Sequence, residues 1–162
     1  MKVTLIQPKY FNIWEALGLA YIGAYIKKSF PGKLELSFYQ GNFDDDRTII
    51  EEAKTSDLVA FSCTSPVFRP ALRLAEAIKE IRPEVKTIFG GFHPSAVPND
   101  CLEEGAIDQV VIGEGEEAFL RQPVAGRRSQ SLLASRGQVG QRQARIVSSG
   151  TARDGSPVRQ AV

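Results

Sequence analysis

Three short stretches hold the side chains whose types and spacing could do chemistry. Ser62-Cys63-Thr64-Ser65 puts three hydroxyls and a thiol in four residues. Gly90-Gly91-Phe92-His93 sets a double glycine ahead of the single histidine of the chain. Gly113-Glu114-Gly115-Glu116 is a glycine–acid turn. Together they offer hydroxyls, bare backbone and carboxylates, a set suited to holding a ligand by scattered hydrogen bonds, and no residue is assigned a catalytic role. Cys63 and Cys101, the two cysteines, are too few for a disulfide framework or a four-cysteine zinc site. With His93 they match no zinc-ligand spacing, so His93 reads as a hydrogen-bonding residue and no protein metal ligand is assigned. Asp44-Asp45-Asp46 reads as a helix cap, with a carboxylate metal site as the sharper alternative.

The common occupants of such a site fail on sequence. A dinucleotide fold places GxGxxG directly after its first strand, where this chain has Gln7-Pro8-Lys9-Tyr10-Phe11-Asn12. The GxxxxGK[ST] phosphate loop is absent, and so are the Thr/Ser/Gly-rich turn of a flavodoxin and the acidic pair of a phospho-receiver domain. The carboxylates of the GEGE turn would repel phosphate. What remains is a large, amide-rich ligand lying over several strand ends.

The elements that would position these stretches follow from hydrophobic period. Val3–Gln7, Lys33–Tyr39, Asp57–Cys63, Lys86–Phe89 and Gln109–Ile112 are short apolar or alternating runs and are predicted as strands. Helices are predicted over Leu17–Lys28, about 47–54, Phe68–Ile81, a short stretch from Pro98 closed by Gly105, and from Glu116 onward. Five alternations of strand and helix predict an α/β domain, a doubly wound, Rossmann-like (flavodoxin-like) five-stranded parallel sheet in the order 2-1-3-4-5. In such folds ligands sit at the carboxyl edge of the strands. The 17–28 helix is apolar nearly all round, so Leu19, Ile22 and Ile26 are expected on an exposed docking or dimer surface opposite the stripe of Leu17, Ala20, Tyr21 and Ala24.

Here the sequence is similar to a known family. The stretches ALGLAYIGAYI (16–26), DLVAFSCTSPVFRPALRLAEAIKE (57–80) and TIFGGFHPSAVPNDCLEEGAIDQVVIGEGEEAFL (87–120) resemble the N-terminal cobalamin-binding domain of the cobalamin-dependent radical S-adenosylmethionine enzymes, a family of methyltransferases and of cyclases acting on magnesium-protoporphyrin monomethyl ester. The resemblance covers about residues 1–120. It implies cobalamin as cofactor, with cobalt in its corrin ring as the only metal. It implies Ser62, Thr64 and Ser65 as the hydroxyl turn after the third strand, and Gly90 and Gly91 as the pair admitting the nucleotide tail. His93, Gly113, Glu114, Gly115, Leu17 and Gly18 are the further expected contacts, and Tyr10, Phe11 and Trp14 those of the loop after the first strand, with Trp14 or Phe11 covering the lower face of the cobalt. The histidine that some cobalamin domains carry in that loop is missing, because no histidine lies in residues 1–92. The family's CxxxCxxC motif needs three cysteines, more than this chain has. The iron–sulfur cluster and S-adenosylmethionine would therefore belong to a missing catalytic domain, and this chain alone is expected to be non-catalytic. A stand-alone corrinoid carrier or ligand sensor is the alternative, and a bare flavodoxin-like domain a third.

The charge divides the chain. Residues 1–122 hold 13 basic and 18 acidic residues, net −5, whereas residues 123–162 hold 7 arginines and one aspartate, net +6. The expected domain is 1–122. The last forty residues lack aromatics and lysine and read as a basic, low-complexity tail, disordered or of non-native origin. No nucleic-acid or membrane partner is expected, and the chain reads as cytoplasmic, with no long apolar run. On this reading Gly91→Val should abolish corrin binding while leaving most of the fold.

Overall fold

The computed structural model describes residues 1–11, 16–116 and 145–148. Its elements run β1 (Lys2–Gln7), α1 (Leu17–Ser29), β2 (Glu35–Gln40), α2 (Asp46–Ala53), β3 (Leu58–Ser62), α3 (Ser65–Ile81), β4 (Lys86–Gly90), α4 (Phe92–Ala96), α5 (Pro98–Glu103), β5 (Gln109–Ile112) and β6 (Arg145–Ser148). The sheet order is β2-β1-β3-β4-β5-β6. The first five strands are parallel in the predicted 2-1-3-4-5 order. Their carboxyl ends therefore share one edge.

Strand alternation divides the core into two layers. On one face Val3, Leu5, Leu58, Ala60, Ile88 and Val111 pack beneath Leu19 and Ile26 of α1. On the other, Val59, Phe61, Phe89 and Val110 meet Ile49 and Ala53 of α2 and Phe68, Ala71, Ala75 and Ile78 of α3. Phe61 and Phe89 stack with ring centroids 4.6 Å apart at the centre of the second layer. Asp45 caps α2 by accepting from the Thr48 N–H at 2.9 Å, so the acidic triplet opens a helix. Among the described residues no helix is long and apolar enough to cross a membrane, and no group of metal-ligating side chains occurs.

Four expectations change. Leu19 and Ile26 are core residues, 3% and 1% exposed, and Ile22 is partly buried against them. The stripe left in solvent is Leu17, Tyr21 and Tyr25, at 58%, 70% and 36% exposure. Gly23 sets this orientation, since a Cβ there would lie only 3.2 Å from Leu36 and 3.4 Å from Leu5. Second, α3 starts three residues earlier than predicted, because Pro66 falls in its first turn, where a missing N–H costs nothing. Third, the double glycine leads directly into the short helix α4. Fourth, the sheet has a sixth strand: Arg145–Ser148 pairs antiparallel with β5, from Gln109↔Ser148 to Ile112↔Arg145. These four residues lie inside the stretch read as a tail without regular structure. Their pairing satisfies backbone groups that β5 would otherwise present at an open edge. The rest of that stretch, and the helix expected from Glu116 beyond its first residue, lie outside the described residues.

One polar node ties β4 to the approach to β5. The half-buried Asp108 carboxylate accepts from Lys79 Nζ at 2.7 Å, Thr87 N at 2.8 Å and Thr87 Oγ1 at 3.1 Å. Burial alone would raise its pKa, but the Lys79 ammonium and the Thr87 N–H outweigh burial and hold the carboxyl below its ordinary value. A depressed folded-state pKa stabilises the fold above the unfolded value, near pH 4, and that contribution is lost as the pH falls through the lower folded value. Asp108→Ala should cost about 2 kcal/mol at pH 7, because it strands buried donors. Urea unfolding of both proteins should show this gap at pH 7 and a narrowing gap as the pH falls below the ordinary carboxylate range.

Candidate functional site

The exits of β1, β3, β4 and β5 surround a cleft of about 690 Å³ between the sheet edge and α1, a size in the range of small-molecule and cofactor sites. Its floor is apolar, with Ala60, Ile88 and Val111 from the sheet facing Leu19 and Ile22 of α1. Its rim is polar, with Gln7, Tyr10, Ser62, Thr64, Ser95, Glu114 and Glu116.

The rim is held by backbone hydrogen bonds between strand exits. Cys63 N–H donates to the Gly90 carbonyl at 2.8 Å, and His93 N–H donates to the Cys63 carbonyl at 3.2 Å. Gly91 lies between them at φ +97°, in the left-handed region that favours glycine. A Cβ on Gly91 would fall 2.7 Å from the Cys63 carbonyl oxygen and 3.0 Å from its nitrogen. Gly91 is therefore required to be a glycine by the meeting of β3 and β4, and it also lines the cleft. Gly90 differs. A Cβ there would meet Val111 at an ordinary 3.8 Å, and one on Gly18 would meet nothing within 4 Å. The protein's own packing does not require these two to be bare, and both line the cleft.

Thr64 precedes α3 at its N-cap but makes no side-chain cap bond. Pro66, two residues on, has no N–H to give, and the Val67 N–H goes to the Thr64 carbonyl at 3.1 Å. The Thr64 hydroxyl is buried without a partner, and its residue lines the cleft. Buried hydroxyls without partners are costly, which sets Thr64 apart from the other polar residues of the cleft wall. Burial pushes the Cys63 thiol far above its ordinary value and the Cys101 thiol up to about 11. Neither supplies a thiolate near neutral pH.

Of the fourteen residues singled out from the sequence, Tyr10, Gly18, Ser62, Thr64, Gly90, Gly91, Gly113, Glu114 and Gly115 line the cleft. Asn42 fixes the loop carrying Tyr10, accepting from Tyr10 N–H at 3.0 Å and donating to its carbonyl at 2.8 Å. Phe11 meets Tyr10 in a tilted pair with centroids 4.2 Å apart but is 76% exposed and does not line the cleft, and Leu17 lies on the outer stripe of α1. Ser65 and His93 pair with each other, Oγ to Nδ1 at 3.1 Å, and the imidazole rests on Phe68, 4.3 Å between centroids, in the other core layer. The start of α4 directly after Gly91 takes His93 there. Trp14 lies outside the described residues. The sequence reading missed Gln7, Phe92, Ser95 and Glu116, of which the GEGE turn could have flagged the last.

A cleft with an apolar floor and a hydrogen-bonding rim, at the carboxyl edge of a parallel sheet, defines a ligand-binding domain of the doubly wound α/β class. Residues 4–121 match the family model of the B12 binding domain, and the chain belongs to that family. It is 28% identical over 132 residues to the anaerobic magnesium-protoporphyrin IX monomethyl ester cyclase of Rubrivivax gelatinosus, covering 74% of this chain and 23% of that protein. Its fold resembles that of the radical S-adenosylmethionine methyltransferase TsrM from Kitasatospora setae, solved with cobalamin and a [4Fe-4S] cluster bound. There the TM-score is 0.64 at 18% identity, over 74% of this chain and 23% of that one. It also resembles a cobalamin-binding protein from Desulfitobacterium hafniense, with TM-score 0.52 and 16% identity over 66% of this chain and 50% of that one. The chain thus spans about a quarter of the length of the first two.

Because Gly91 serves the backbone, Gly91→Val should fail by unfolding. The clash and the left-handed backbone together should cost about 3 kcal/mol or more. Thermal denaturation of the ligand-free protein reads this directly, and an unchanged midpoint would contradict it.

Proposed function

We propose that this chain is the cobalamin-holding domain of a larger radical S-adenosylmethionine enzyme, a methyltransferase or cyclase. The observation that carries the reading is an apolar-floored, polar-rimmed cleft at the carboxyl edge of the sheet, left open by Gly18 and Gly90. An amide-rich macrocycle with a heterocyclic tail suits such a site. The tail would enter the apolar slot between α1 and the sheet past Gly90. Ser62 and Thr64 would bond its polar atoms, and Glu114 and Glu116 would accept from amide N–H groups. When bound, the cobalt supplies methyl-transfer or radical-assisting chemistry. The domain's task is to bind, orient and shield. The iron–sulfur cluster and S-adenosylmethionine would belong to a radical domain beyond these residues. The free, buried Cys63 and Cys101 accord with the reducing cytoplasm.

The lower face of the cobalt would receive no imidazole. His93, the sole histidine, is engaged with Ser65 and Phe68 and does not line the cleft. The cleft residues would thus offer the metal no histidine nitrogen, and the slot between α1 and the sheet would take the cofactor's tail and its base. Electron paramagnetic resonance of the cobalt(II) form should lack three-line nitrogen splitting, and its presence would overturn this.

The outer stripe of α1, Leu17, Tyr21 and Tyr25, is a contact surface on this reading, and in the isolated domain a second copy would cover it. Sedimentation velocity should show a dimer that Tyr21→Glu converts to monomer.

The main test is incubation with hydroxocobalamin followed by desalting. Retained corrin absorbance at one equivalent is expected, and Gly90→Val should lose it while keeping a cooperative thermal transition. A colourless wild type would overturn the reading. A downstream CxxxCxxC in the same reading frame would separate the radical enzyme from a stand-alone corrinoid carrier.

A further inference from the structure

Ser95 lies in the cleft wall, on α4, with no role yet given to it. Its N–H donates to the Gly91 carbonyl at 3.1 Å, seating the residue against the pinned exit of β4. Its Oγ accepts from the Gly113 N–H at 3.2 Å, across to the exit of β5. Gly113 stands at φ +84°, the bend at which the chain leaves β5 for the glycine–acid turn. Pairing between β4 and β5 involves only Ile88↔Gln109 and Phe89↔Val110, so it stops short of that bend. The Ser95 hydroxyl takes over where the ladder ends. A serine hydroxyl that accepts one bond keeps its proton for another.

We propose that Ser95 is a positioning residue of the corrinoid cleft that does two things at once. Its oxygen fixes the Gly113 bend, and so sets where Glu114 stands on the rim. Its proton is left to donate to a carbonyl or other oxygen acceptor of the bound corrinoid. The proposal rests on the cobalamin-binding reading and adds to it a residue that joins the walls formed by β4 and β5. Alanine would remove both bonds, whereas threonine keeps the hydroxyl.

The test is titration of the full chain with hydroxocobalamin, read by the corrin absorbance, for wild type, Ser95→Ala and Ser95→Thr, alongside thermal midpoints of the ligand-free proteins. Loss of the one hydrogen bond to the ligand, together with a loosened Gly113 bend, predicts roughly 10-fold weaker binding by Ser95→Ala. Ser95→Thr should bind within about threefold of wild type, given that both retain a hydroxyl. Hydrogen exchange should show the Gly113 amide protected in wild type and Ser95→Thr and unprotected in Ser95→Ala, without ligand. Equal binding by wild type and Ser95→Ala would overturn the ligand-donating role, as would threonine failing to restore what alanine loses. A Gly113 amide that exchanges alike in all three would overturn the tether. If wild type itself holds no cobalamin, the reading beneath fails, and the exchange experiment still decides the tether separately.

Discussion

The site depends on one close approach, the backbone of Gly91 against the backbone of Cys63. In a parallel sheet, neighbouring strands diverge into separate loops once the ladder ends, and nothing in the ladder controls how far apart those loops stand. Here Cys63 N–H on the Gly90 carbonyl and His93 N–H on the Cys63 carbonyl continue the pairing past the last residues of β3 and β4. That continuation requires Gly91 at positive φ with no side chain. It also aims α4 across the sheet edge, which places Ser95 beside Gly113 and takes His93 to the far layer. Three strand exits become one wall through a single conformational choice.

A rigid wall explains how an unpartnered hydroxyl can persist. Thr64 begins α3 directly after the pinned residue Cys63, and Pro66 withholds the N–H that would ordinarily satisfy a threonine at a helix start. A looser loop could turn the hydroxyl to water or to a backbone group. Fixed between Cys63 and α3, it stays buried in a residue that lines the cleft, a small local cost of the kind found at functional sites.

Much of this was legible in the sequence, for identifiable reasons. The parallel sheet and its order followed from five short apolar runs separated by helical intervals, and the alternation of Leu58, Ala60 and Ser62 against Val59, Phe61 and Cys63 separates the two faces. The glycines and hydroxyls at the strand exits were visible as composition. The reason for each glycine was not, because Gly90 and Gly91 look alike as letters, yet one leaves space and the other fits a backbone contact. The facing of α1 was hidden because both its sides are apolar, and Gly23 against Leu5 and Leu36 decides it. His93 drew attention by its type, while Ser95, two residues on, carried no signal until the Gly113 bend was in view. The strand at Arg145–Ser148 is four residues in a polar stretch, too short for any periodicity to register.

The register of that last strand has a consequence for where the chain can vary. Arg145 lies opposite Ile112 and Ser148 opposite Gln109, so the polypeptide departs from β5 and rejoins the sheet at the same edge, the one bearing the cleft. The end of β5 and the start of β6 thus stand at one border of the cleft. Whatever length separates them, both ends must return to that one border for the pairing from Gln109↔Ser148 to Ile112↔Arg145 to form. The stretch from Gly91 to Ser95 is constrained more tightly: a single inserted residue there would shift the register of every contact that joins the three exits. Two neighbouring borders of one cleft are thereby constrained in different ways, one by where its two ends must meet and the other residue by residue.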